Sequence, residues 1–248
     1  TPPLSVDDLN RVFIRNRQKH AIDVYDGKGN FVTRFGRKGR GPGEFHRISR
    51  LQILDDHLYV YDRKLQQFQV FSLQPISYAT TVLAMPNNMN RFRNLRFIDH
   101  DPVHVISDST FLYRFTDMSK LSDGRRFSPG KKASMSINYY IMNRDRRLRS
   151  DTVLHQKGRK TVVSEVNGVT ATVSFPFTRR ALFTVSENQR IYAARTQNLL
   201  IKVYNLKGKY LRSFYHPYKR APLTEFQIDS VIQAASNGIM QQAKRKVS

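Results

Sequence analysis

The chain has 248 residues, with 42 lysines and arginines against 19 aspartates and glutamates, a formal net charge of +23, and no cysteine. The length admits one domain with a substantial core. The missing cysteine excludes disulfides, thiolate metal sites and a cysteine nucleophile, and no run of apolar residues is long enough to span a membrane as a helix.

In chain order, the first ten residues lack the basic-then-apolar order of a secretory signal. Alternating apolar residues predict strands over 11–16, 21–25 and 31–35. The stretch IDVYDGKGNFVTRF over 22–35 recurs as IKVYNLKGKYLRSF over 201–214, with Ile22/Ile201, Val24/Val203, Tyr25/Tyr204, Gly29/Gly208 and Phe35/Phe214 in matching places. Each copy reads as strand, glycine-containing turn and strand, a hairpin signature. A lone hairpin is marginal in water, so its recurrence predicts an array of sheets that bury one another's faces.

The connector GRKGRGPGEF follows over 36–45. Gly39, Gly41 and Gly43, in alternate positions beside Gly36, predict positive φ and a tight turn between sheets. Pro42 fixes φ and lacks a donor, which suits a loop. Phe45 is expected to bury, and Glu44 to pair with a cation or cap backbone donors. Arg37, Lys38 and Arg40 beside backbone donors form a candidate phosphate or sulfate site. A phosphate-binding P-loop is excluded because G-x-x-x-x-G-K-[ST] has no match and Pro42 stands where a helix must start. Hairpins flank the run, not the βαβ unit a dinucleotide site needs.

Strands are predicted over 51–54 and 58–61, joined by Asp55-Asp56. Residues 68–71 repeat the rhythm of 22–25. Weaker copies fall at 112–117, where Arg114 replaces the expected valine, and at 153–158. Residues 86–88, 122–124 and 128–130 carry loop chemistry. The stretch 131–149 breaks the rhythm and is expected to be a long loop or distorted blade. Its Arg144, Arg146, Arg147 and Arg149 form a second candidate anion-binding surface. Glu187-Asn188 marks a turn before a strand near 191–193. After 225, apolar residues at helical spacing predict a short helix ending near residue 236. A repeat of about 40–50 residues is the size of a four-stranded propeller blade. The expected fold is therefore all-β: one β-propeller domain over 1–248 with five or six four-stranded blades.

Gly36, Gly39, Gly41, Pro42, Gly43, Glu44 and Phe45, followed by Leu58, Tyr59, Val60, Asp62, Phe68, Val70 and Phe71, resemble a motif of six-bladed propellers of the NHL and TolB-like type, in particular a TolB-like lipoprotein family of Bacteroides relatives. The likeness covers 11–73 and 181–224; the middle matches weakly, and the chain is short for six full blades. The resemblance implies an exported, periplasmic or outer-membrane-anchored protein, held by a lipid on a cysteine upstream. It implies a non-catalytic binding or scaffold role, with an envelope protein, peptide or acidic glycan held on the loops of one propeller face.

Two rivals stay open. The net charge, with aromatics and cations interleaved at 91–97 and 215–220, suits an RNA-binding NHL-like propeller acting in the cytoplasm; plain strand alternation gives the same pattern. A propeller hydrolase or lyase would instead gather carboxylates and histidines from several blades around an axial metal. Of the histidines 20, 46, 57, 100, 104, 155 and 216, only His100 and His104 are clustered. With Pro102 between them they read as a solvated turn, and neither metal nor cofactor is expected.

Overall fold

The computed structural model describes residues 4–88, 98–108, 110–123, 126–143, 145–149, 151–166, 168–174, 180–196 and 198–217, with scattered residues from 219 to 233. Among these, the regular structure is almost all β. Strands β1 (Leu4–Val6), β2 (Val12–Asn16), β3 (Ala21–Tyr25) and β4 (Phe31–Phe35) form one antiparallel sheet. The connector contributes the two-residue parallel pair β5 (Arg37–Lys38) and β6 (Glu44–Phe45). A second sheet contains β7 (Ile48–Leu54), β8 (His57–Asp62), β9 (Gln67–Leu73) and β10 (Ile76–Leu83). A third runs β11 (Ile98–Ser107), β12 (Thr110–Asp117), β13 (Lys132–Met142), β14 (Leu154–Val166) and β15 (Val169–Ser174). The fourth is β16 (Ala181–Val185), β17 (Arg190–Arg195), β18 (Asn198–Asn205) and β19 (Tyr210–His216). In each of the four, strands adjacent in sequence lie side by side, which is how a propeller blade is built. Helical residues occur at 225–227, 229–230 and 233; the expected helix end near 236 lies outside the described residues.

The strong sequence copies all occupy the third strand of a sheet: Ile22 on β3, Phe68 on β9 and Ile201 on β18. The weak ones do not. Residues 112–117 fall on the second strand and 153–158 at the start of the fourth. Two expectations are overturned. Residues 132–142 are an eleven-residue strand, because NYYIM supplies the apolar residues of a sheet core without the repeat's signature. His100 and His104 lie on a strand and not in a turn. Pro102 is accommodated on β11, which ends the sheet and so has one side whose N–H groups need no ladder partner.

One turn recurs. At Asp7, Asp26, Asn143, Ser186 and Asn205, the N–H bonds the carbonyl of the fourth residue on at 2.9–3.1 Å, and the carbonyl accepts the third residue's N–H at 2.9–3.0 Å. The side-chain oxygen also accepts a backbone N–H, from Arg11, Asn30, Arg147, Arg190 and Lys209 respectively. The residues before these (Asn10, Gly29, Arg146, Gln189 and Gly208) all have positive φ. A short polar side chain opens the turn and a left-handed residue closes it.

The chain divides into two compact units: residues 1–89, 101–113 and 141–149, and residues 90–100, 114–140 and 150–248. In the first, Phe13, Ile22, Val24, Phe45, Leu58 and Phe71 are buried together, with Phe35 packed against them. In the second, Tyr139 packs on Phe183 with ring centroids 4.8 Å apart, and Leu121, Val163, Ile191 and Val203 are buried.

Candidate anion-binding site

The connector is closed by its own glutamate. Glu44 accepts the Gly41 N–H at 2.9 Å and pairs with Arg37 at 2.8 Å. The Gly41 amide first and the Arg37 guanidinium second hold its carboxyl below the usual range. The Gly39 N–H goes to the Phe45 carbonyl at 3.2 Å and the Gly43 N–H to Gln69 at 3.3 Å. The glycines serve two purposes rather than the single one expected. Positive φ occurs at Gly36 and Gly43 and not at Gly39 or Gly41. Gly39 is required for space, since a Cβ there would run into the Glu44 carboxylate. Gly36 needs both, because a Cβ would also strike the buried Phe45 ring. Pro42 and Lys38 are exposed on the same strap.

The 145–149 segment is a clamped turn. Arg146 takes its left-handed position and the Arg147 N–H bonds Asn143. Asn88 gives two bonds to the Leu148 backbone, at 3.0 and 3.1 Å, and Asn87 bonds the carbonyls of Asp145 and Arg146. Arg147 and Arg149 are exposed; Arg144 lies outside the described residues, as do residues 91–97.

The strongest concentration of cations lies elsewhere in the first unit. A recess of about 290 Å³ opens where β2, the turn after it, the segment before β7 and the residue after β8 meet. Arg15, Arg17, His20, His46, Arg47 and Arg63 line it, with Asn16, Ser49 and Ile48 completing the wall. Arg15 Nη1 donates to the Ile48 carbonyl at 2.7 Å, while its buried Nε has no hydrogen-bond partner among the described residues. Burial, then the Arg17 and Arg47 charges, lower its pKa. Burial first, then Lys64, lowers His46, with Asp62 opposing and Arg40 and Lys38 adding to the fall. The connector cations therefore act on the recess electrostatically.

Asp23 and Asp62 adjoin the recess: Asp23 is bonded to Asn16 and paired with Arg34, and the Asp62 carboxylate is spent on the backbone. It accepts N–H groups from His46, Arg47, Lys64 and Leu65. It holds the His46 and Arg47 backbone of the wall in place. Sequence reading missed the recess because its residues come from three separate strand ends. The only signal was that RNRQKH, HR and RK each follow or precede an apolar strand.

The second unit has a recess of similar size between His155, Lys157, Arg195, Lys202 and Tyr204, with leucine and alanine in its walls. Its Gln156 is already bonded to Tyr139 and the Leu182 carbonyl. The described residues hold no group of three histidine, aspartate or glutamate side chains arranged for a metal.

Residues 4–92 match a sequence family described as a 6-bladed beta-propeller. No curated protein matches the sequence. Among solved structures, the chain is similar to a member of the DUF4221 family from Bacteroides vulgatus (10% identity, TM-score 0.48, 87% of this chain and 57% of that one). It is also similar to virginiamycin B lyase from Staphylococcus aureus (11%, 0.39, 87% and 69%). A third is a Bacteroides fragilis protein provisionally described as exported (11%, 0.37, 88% and 71%). The chain spans little more than half the length of the first. The fold is all-β and of the β-propeller type, and no described helix is long and apolar enough to cross a membrane.

Proposed function

We propose that this chain is a non-catalytic binding or scaffold module of the bacterial cell envelope, a single propeller domain over 1–248 of the NHL or TolB-like kind, holding an acidic partner on its loops. The observation that carries the reading is the recess: four arginines and two histidines line it, and the Asp62 carboxylate beside them is bonded to backbone N–H groups. Fixed donors on rigid strand ends bind without needing to rearrange. An acidic glycan is the partner class best matched, because the wall is polar on nearly every side; an acidic peptide or envelope protein would use the same charges. Export and lipid anchoring rest on the resemblance of the connector motif. The test is retention on an immobilised acidic polysaccharide at about 0.15 M salt. Retention that falls steeply with salt, and falls further in an Arg17→Glu/Arg47→Glu variant, supports the reading. Passage unretained at that salt overturns it.

One observation favours the RNA reading as a second. β19 exposes Tyr210, Phe214 and Tyr215, and the Arg212 guanidinium lies 5.0 Å from the Phe214 ring centroid. Aromatic faces beside cations suit unpaired bases. Binding of single-stranded RNA at about 0.15 M salt that a Phe214→Ala/Tyr215→Ala variant loses would establish it in place of the glycan.

A further inference from the structure

The geometry points to the recess at Arg15, Arg17, His46 and Arg47 as a binding site for a dianionic phosphate group, free or as the monoester of a small polar molecule such as a sugar. The inference rests on the acidic-partner reading and narrows it to one chemical group in one place.

Charge balance separates phosphate from carboxylate. A single guanidinium fork satisfies a carboxylate's two oxygens. Here three arginines crowd closely enough for Arg17 and Arg47 to disfavour the charge on Arg15, so one negative charge leaves mutual repulsion behind. A phosphate monoester carries up to two charges and three free oxygens, enough to engage several forks together. Arg15 Nη1 donates to the Ile48 carbonyl at 2.7 Å, which fixes this guanidinium in the wall, and its buried Nε has no partner among the described residues.

Size and polarity define what carries the phosphate. About 290 Å³ is close to the lower end of small-ligand pockets and far exceeds the roughly 30 Å³ share of one water. There is space for a phosphate and an attached group of sugar size. Ile48 is the sole apolar liner, so the wall offers nothing to an acyl chain. Asn16, bonded to Asp23 and the Lys19 N–H, and Ser49, bonded to the Tyr61 carbonyl, keep the rest of the wall polar and uncharged. The Asp62 carboxylate fixes the backbone of both His46 and Arg47, so the site is preorganised.

The test is calorimetric titration of the full chain with glucose 6-phosphate, inorganic phosphate, glucuronate and glucose at about 0.15 M salt. The expected result is that glucose 6-phosphate binds at least about ten-fold more tightly than glucuronate, and that glucose does not bind. If inorganic phosphate matches glucose 6-phosphate, the site takes the free ion; if it is weaker, the ester is the ligand. Both outcomes support the site. Arg17→Gln/Arg47→Gln should weaken phosphate binding about ten-fold or more, while Arg147→Gln/Arg149→Gln, with the same loss of charge, should change it less than two-fold. Arg17→Gln alone, at an exposed position, answers the question if the double variant fails to fold. The inference is overturned if neither phosphate binds at millimolar concentration, if glucuronate binds as well as the phosphates, or if the two double variants behave alike. Polysaccharide retention without phosphate binding would defeat this inference alone; loss of both would remove the acidic-partner reading as well.

Discussion

The first and last sheets share one plan and differ in what covers it. Ile22 pairs with Phe35 across β3–β4, and Ile201 pairs with Phe214 across β18–β19. The register slips by one residue at the same place, between Val24 and Tyr25 and between Val203 and Tyr204. Tyr25 meets Phe31 edge-on at 5.8 Å, and Tyr204 meets Tyr210 edge-on at 5.9 Å. Burial diverges. Ile22 is fully buried and Phe35 packs into a core, whereas Ile201 is half-exposed and Phe214 is 47% exposed. Local chemistry therefore sets hairpin geometry, and neighbouring sheets set its energetic weight. In the first unit, β1 and β2 pack against β7 and supply the cover.

The sharpest way to break this comparison is to truncate the matched isoleucines. Ile22→Ala should cost about 2–5 kcal/mol, as for a fully buried aliphatic side chain, and Ile201→Ala about 1 kcal/mol. Urea unfolding measures both. Equal losses would mean that β18 is covered as deeply as β3.

Next in size is pH, acting on the unit that contains the first sheet. His104 is half-buried on β11 near Arg50, and burial first, then that charge, pushes its pKa down to about 4 from an ordinary 6.5. The unfolded chain takes up the proton at higher pH than the folded one, so stability is intact above about 6.5 and declines as pH falls toward 4. A gap of this size is worth about 3 kcal/mol. His104→Leu should flatten that limb of a stability–pH curve; an unchanged slope would show that His104 titrates normally.

How much of this was legible follows from the same division. The hairpin turns were readable because a few adjacent residues encode them: Asp26 and Gly29, Asn205 and Gly208. The strands that carry the strong copies were readable for the same reason, though their place as third strands was not, because Leu4–Val6 carries no copy. β13 was not, since its apolar run carries no copy of the repeat, and β11 was obscured by Pro102, which reads as a breaker unless the strand is known to be an edge. The recess was invisible because Arg15, Arg47 and Arg63 lie on different strand ends, and bonds distant in sequence gather them: Arg15 to the Ile48 carbonyl, the Arg63 N–H to the Arg47 carbonyl, and Asp62 to the His46 and Arg47 N–H groups. Arg146 looked like a free cation in the sequence, yet it occupies the left-handed corner of a turn.

A smaller effect should invert the order of the two sheets. Gly29 and Gly208 hold the same turn position with φ of 86° and 80°. Gly29→Ala meets open space, so only the left-handed backbone opposes it, at about 1–2 kcal/mol. Gly208→Ala would also place its Cβ 2.6 Å from the Val153 carbonyl oxygen, adding about 1–3 kcal/mol of overpacking. The more exposed sheet thus has the less forgiving turn. Thermal unfolding of the two variants gives the comparison directly, and a greater loss from Gly29→Ala would contradict it.

The smallest effect is the most discriminating. Asp26 and Asn205 make the same backbone bonds, each accepting two backbone N–H groups at 2.8–3.0 Å, and Asp26 also accepts the exposed Asn30 side-chain amide at 3.0 Å. If the turns are coded locally, Asp26→Ala and Asn205→Ala should cost small and equal amounts near neutral pH, despite the different burial of the strands they join. In acid the two should part. Asn30, by side chain and backbone, holds the Asp26 carboxyl below its ordinary pKa, so the turn's contribution is present above that ordinary value and fades as pH falls through the lowered one. An asparagine has no such dependence. The Asp26→Ala penalty should therefore shrink at low pH while the Asn205→Ala penalty stays constant. Hydrogen exchange at the Asn30 and Lys209 amides reads each turn separately, and unequal effects at neutral pH would show that the sheet beneath, and not the turn residue, controls the hairpin.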